Sequence, residues 1–140
     1  MSDDNNDLHN ALLGVRVISP ISQAGNAAMV GAIMDMQGYG AAEFFVTLGT
    51  ITTAGTAYTI LLEEGDAANL SDAAAVADAD LLGTEALASF IDSEINTTKR
   101  LGYKGNKRYI RLTATPSGNT GASTFSAICV KGNAALQGTV

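Results

Sequence analysis

The sequence predicts an all-β fold: an antiparallel β-sandwich or jelly-roll-like domain preceded by a short N-terminal arm. Three observations carry this. Aromatic and β-branched residues collect in short runs, such as EFFVTLGTITT, AYTILLE, KRYIRLTAT and ASTFSAICVK. Turn-forming clusters, QGYG, EEGD and PSGNTG, punctuate the runs. Strands do not alternate with helical periodicity, so a parallel α/β sheet is not expected.

Taken in order, residues 1–10 read as a flexible acidic arm, in which Asp7 or Asn10 is suited to cap one short turn. ALLGVRVISP, residues 11–20, reads as a first extended segment that Pro20 ends. AAMVGAIMDM, residues 27–36, is short and bounded by glycine, which favours one strand over a helix. The runs 43–53 and 57–63 flank the turn Ala54-Gly55 and read as a β-hairpin, with Tyr58, Ile60 and Leu62 on one face. Residues 67–82 are alanine-rich and read as irregular with one helical turn. Residues 86–91, ALASFI, read as a strand, as do residues 97–103. In residues 107–115, Ile110, Leu112 and Ala114 share one face, and Tyr109, Arg111 and Thr113 the other. After the turn at 116–121, residues 122–131 form the last strong strand, and the tail from Gly132 to Val140 reads as loose or edge-associated. The expected organisation is an arm over residues 1–10 and one sandwich domain over residues 11–140.

A chain of 140 residues suits a single domain with a genuine hydrophobic core. No run approaches the ~18 consecutive apolar residues of a membrane span. The N-terminus carries Asp3, Asp4 and Asp7 where a secretory signal has basic and then apolar residues, so synthesis without an export signal is expected.

Residue types that carry chemistry are sparse. Cys129 is the only cysteine, which rules out an intrachain disulfide, and its apolar run predicts a buried, inert thiol. The one histidine, His9, lies in the arm, so a histidine-based catalytic triad is not expected. The acid groups Glu63, Glu64, Asp66 and Asp78, Asp80 read as solvated loop carboxylates. They lack EF-hand spacing, and there is no Trp to stack a sugar. No enzymatic activity, cofactor or metal is expected.

Charge is unevenly distributed. All 14 acidic residues and one base, Arg16, lie in residues 1–98, and the other seven of the eight bases lie in residues 99–140, so −13 stands against +7. Two readings are open. Either the two regions pair within one molecule, or the basic segment meets an acidic neighbour. On the second reading Lys99, Arg100, Lys104, Lys107 and Arg108 line an interface, and Asp3, Asp4 and Asp7 of the arm contact a partner. An acidic chain with few interleaved aromatics is not expected to bind nucleic acid.

Three passages resemble small structural proteins of the head-gene clusters of tailed bacteriophages: YGAAEFFVTLGTITT, YTILLEEGD with AVADADLLGT, and KRLGYKGNKRYIRLTATPSGNTG. The likeness spans about residues 28–132. It implies a virion part made in the host cytoplasm and carried on the outer surface of the capsid. Such a part decorates or cements by bridging capsomers, with the major capsid protein as partner and a homo-oligomer, a trimer by preference, as its form. A head–tail joining, tail or fibre component and a carbohydrate-binding sandwich module are the alternatives.

Overall fold

The structure, a computed structural model, describes residues 7–134. The predicted fold class is observed: nearly all regular structure is antiparallel β, in two packed sheets. The strands are β1 (Leu13–Gln23), β2 (Met29–Val30), β3 (Met34–Asp35), β4 (Tyr39–Ile51), β5 (Ala57–Gly65), β6 (Ala74–Ala75), β7 (Leu81–Leu82), β8 (Phe90–Ile91), β9 (Thr98–Tyr103), β10 (Tyr109–Ser117) and β11 (Ser123–Ala134). Two single-turn helices, α1 (Leu8–Ala11) and α2 (Glu85–Ala88), complete the elements with a 3-10 turn at Asp78–Asp80. One sheet runs β1-β11-β4-β9-β7; the other runs β2-β10-β5-β6, with β3 also on β10 and β8 on β5.

Alternation decides what enters the core. From the first sheet come Phe44, Val46 and Leu48 of β4, Leu101 and Tyr103 of β9, and Phe125, Ala127 and Cys129 of β11. From the second come Tyr58, Ile60 and Leu62 of β5, and Ile110, Leu112 and Ala114 of β10, the face expected from the sequence. Tyr58 stacks on Phe90 at 4.8 Å between centroids, and Phe125 meets Tyr58 edge-on at 5.1 Å.

Several expectations are corrected. The hairpin of residues 43–53 and 57–63 does not form: β4 and β5 lie in different sheets, where Thr56 is fully buried at the crossing. Periodicity fixes which face of each strand is buried, and two strands with matching apolar faces satisfy it equally well facing each other across a core. Residues 27–36 make the two short strands β2 and β3. Between them Gly31 donates to the Leu112 carbonyl at 2.8 Å, and a Cβ there would lie 2.5 Å from that oxygen. Only glycine allows this approach. Ala32 then bonds Val17 of β1 at 3.0 Å, so the segment closes one side of the sandwich.

Of residues 86–91 only Phe90 and Ile91 are a strand, β8, and the expected strand gives way to α2 before them. Thr84 caps α2 by accepting from the Leu87 N–H at 3.0 Å, a local bond that wins over the apolar pattern until Phe90. β1 continues past Pro20 to Gln23, because it is the edge of its sheet and Pro20 falls in a register shift between Ile18 and Ile21, where it has no partner in β11. β10 runs through Pro116 to Ser117, and β11 extends to Ala134, past the expected end at Lys131.

The arm is only partly described. Residues 1–6, with Asp3 and Asp4, lie outside the described residues, as do residues 135–140 of the tail. Asp7 caps α1, accepting from the Asn10 N–H at 3.1 Å; the Asn10 side-chain amide, which donates to its other oxygen at 2.7 Å, and then this backbone bond hold its carboxyl below the usual carboxylate range.

Candidate interaction surface

The six basic residues between Lys99 and Arg111 do not form one patch. β9 carries Lys99 and Arg100 at its start and delivers Lys104 to Arg108 at its far end, five residues or ~17 Å along the strand. Four of the six pair inside the molecule. Lys99 bonds Glu94, Lys107 bonds Asp66 at 2.9 Å, and Arg111 bonds Glu63 at 2.9 Å across the β10–β5 ladder. Arg108 grips Asp35 with Nε and Nη2, both at 3.0 Å, and reaches Gln37 at 2.6 Å. The Arg108 guanidinium is the main reason the Asp35 carboxyl titrates below its usual range, and the Asp66 carboxylate raises the Lys107 ammonium. Arg100 and Lys104 are exposed, with no ion-pair partner among the described residues. Lys131, the last base, is buried on the inner face of β11; it donates to the Asp35 carbonyl at 2.9 Å and lies over the Tyr39 ring.

Cys129 is fully buried, and burial pushes its thiol up to about 12, the opposite of an activated nucleophile. Among the described residues no three His, Cys, Asp or Glu side chains converge as metal ligands would. Tyr103 donates to Glu64 at 2.7 Å and accepts from the Lys107 N–H at 3.0 Å, an arrangement that ties the loop after β9 to β5. Burial is the main cause raising this phenol well above its usual value.

Sequence reasoning missed the outward face of the first sheet. Residues that alternate away from the core form rows across it. Ile128 pairs with Phe45 and Phe45 with Arg100; Val130 pairs with Glu43, and Glu43 with Gly102, which pairs with Leu82. Leu12, Ala41, Phe45, Leu82, Val130 and Gly132 line a depression of about 390 Å³ on this face. Ile128 is 44% exposed and Leu82 51% exposed beside it. Glu43 is the carboxylate in this apolar setting. It lies over Gly102, where a Cβ would come within 2.5 Å of it, and burial raises its pKa while Arg100 opposes the shift. A signal was present in the sequence: Ala127 to Val130 are apolar at four successive positions, as in a strand covered on both faces.

The two sheets treat their edges differently. On β5, between its short partners β6 and β8, side chains supply what strands do not: the Leu62 N–H donates to Glu85 at 2.6 Å and the Ile60 N–H to Ser89 Oγ at 2.9 Å. On β9, β7 covers only Gly102 and Tyr103.

No protein-family model matches the chain, and no curated protein sequence matches it. Among solved structures it is similar to the PBSX exported protein XepA, with a TM-score of 0.59 and 14% identity, over 86% of this chain and 37% of that one. The chain thus spans little more than a third of the length of XepA. It is also similar to the SPBc2 prophage-derived protein YomS (TM-score 0.46, 13% identity, 85% of this chain and 94% of that one). A third is the CBM22-1 xylan-binding domain of Paenibacillus barcinonensis Xyn10C (TM-score 0.47, 10% identity, 91% of this chain and 88% of that one). The likeness to XepA is one of fold: it covers both sheets of this sandwich and assigns no residue a role.

Proposed function

We propose that this protein is a non-enzymatic structural component of a tailed-phage virion, which decorates or cements the capsid by bridging capsomers. The observation that carries the reading is the apolar outward face of the first sheet, on which Leu82 and Ile128 are exposed and Phe45 and Val130 half-buried beside them. An apolar patch of this kind on a folded domain marks a protein contact. The resemblance of residues 28–132 to head-cluster proteins supplies the partner, the major capsid protein. A fold shared with the phage-derived XepA supports the same assignment by analogy. Many copies, each adding a modest interface, strengthen a shell through multivalency, and a homo-oligomer, a trimer by preference, suits junctions between capsomers.

The test is electron microscopy of the particle that carries the protein. Copies spread over the outer surface of the head are expected, and Phe45→Asp is expected to abolish that decoration without unfolding the domain. A single ring of copies at the neck would assign the protein to head–tail joining and overturn the cementing role.

A further inference from the structure

The depression on the outward face of the first sheet holds a single charge. Val130, Glu43, Gly102 and Leu82 stand side by side across β11, β4, β9 and β7. Gly102 and Gly132 contribute no side chain, and larger neighbours close over them: a Cβ on Gly102 would lie 2.8 Å from Leu82 Cβ, and one on Gly132 2.8 Å from Leu12 Cδ2. The space left is about 390 Å³, and Glu43 is the one charged side chain among the described residues that line it. Its carboxyl has no ion-pair or hydrogen-bond partner among the described residues. Arg100, two residues along β9 from Gly102, is exposed and lines a separate groove on the other side of Glu43, so its charge reaches the carboxyl without bonding it.

Granted that this face meets a protein, we infer that the depression takes a basic side chain of that partner, the stem of a lysine or arginine lying along Leu12, Leu82 and Val130 and its cationic head on Glu43. Charge complementarity selects this occupant. Any partner that covers the apolar residues also takes Glu43 out of water. An apolar plug would leave the carboxylate buried and unpaired, which is strongly unfavourable, and an acidic one would add repulsion. A long basic side chain meets both demands: its methylenes cover the aliphatic walls, and its head gives the carboxylate charge-assisted hydrogen bonds. The volume of the depression is within the ~300–1,000 Å³ of pockets that hold a ligand group. Burial already holds the Glu43 carboxyl above its usual range, and a cation seated on it would offset that penalty.

The test is a heteronuclear NMR titration of the full chain at constant ionic strength. The probes are N-acetyl-lysine N-methylamide, its arginine counterpart, and the norleucine derivative, which keeps the stem and lacks the charge. The basic probes are expected to shift the amides of Leu82, Gly102 and Gly132 and to approach saturation by about 100 mM, with norleucine at least about threefold weaker. Glu43→Gln keeps the shape of the side chain and is expected to bring the basic probes down to the norleucine level. Arg100→Gln removes a neighbouring cation and is expected to tighten them. Norleucine binding as tightly as both basic probes overturns the inference. So does a shift confined to the acidic turn at Asp66 and Asp72, or one that Glu43→Gln leaves unchanged. The titration needs no particle, so a failure here leaves the cementing role standing, and a ring of copies at the neck leaves the titration standing.

Discussion

Asn119 offers the sharpest test of how the sandwich is held at one end. It is 1% exposed, in the turn between β10 and β11. Its Nδ2 donates to the Gln23 carbonyl at 3.1 Å and to the Gly25 carbonyl at 3.0 Å, and its Oδ1 accepts from Ser123 Oγ at 3.1 Å. Its backbone N–H donates to Asn26 Oδ1 at 2.8 Å. One side chain thus joins the end of β1, the loop after it and the start of β11. Asn119→Ala removes three hydrogen bonds and leaves two carbonyls and one hydroxyl without their partner. A net bond contributes about 1 kcal/mol, and a stranded buried polar group costs about 1–3 kcal/mol. Gln23 and Gly25 are half-buried, so water recovers part of the loss. The expected destabilisation is about 2–4 kcal/mol, read from urea unfolding with an unchanged m-value. Asn119→Asp keeps the acceptor for Ser123 but turns a carboxylate toward two carbonyls. It should be worse than alanine near neutral pH and recover in acid, where the protonated carboxyl donates one bond again. A loss below about 1 kcal/mol for Asn119→Ala, or an aspartate variant with no pH dependence of its own, would refute the reasoning.

Three further outcomes are expected. Cys129 should react with an aromatic disulfide reagent near pH 8 only at the rate of unfolding, since the folded thiol is buried and raised to about 12; prompt labelling of the native protein would contradict its placement. Glu43 is held above its usual carboxylate value, so the folded state binds more protons than the unfolded chain, and its contribution to stability falls as pH rises from the ordinary carboxylate range through the raised value. Glu43→Gln should therefore be more stable than the wild type near pH 7 and level with it near pH 4, whereas an equal gap at both would contradict the burial argument. Glu85→Ala should cost about 1–2 kcal/mol by stranding the Leu62 N–H, with Glu85→Gln recovering most of it in the same denaturant titration.

Sequence and structure divide the account along physical lines. Local pattern determined the class and most of the strands. Alternation in Tyr58, Ile60, Leu62 and in Ile110, Leu112, Ala114 assigned their buried face correctly, because side chains in a strand alternate whatever the strand pairs with. Asp7 as a cap and Cys129 as an inert thiol were legible for the same reason: each depends on near neighbours in the chain. Pairing was not legible. None of the long strands β1, β4, β5, β9, β10 and β11 pairs with the next of them along the chain, so turn signals such as Ala54-Gly55 mark crossings between sheets where a hairpin was expected. The interaction surface was hidden likewise. Phe45, Leu82 and Ile128 become one face only when β11, β4, β9 and β7 are set side by side. The basic segment was plain in the sequence, but its partners Asp35, Glu63 and Asp66 come from strands and loops far away in the chain. Where those carboxylates lie is fixed by packing of the core, and a one-dimensional pattern of charge does not contain that distance.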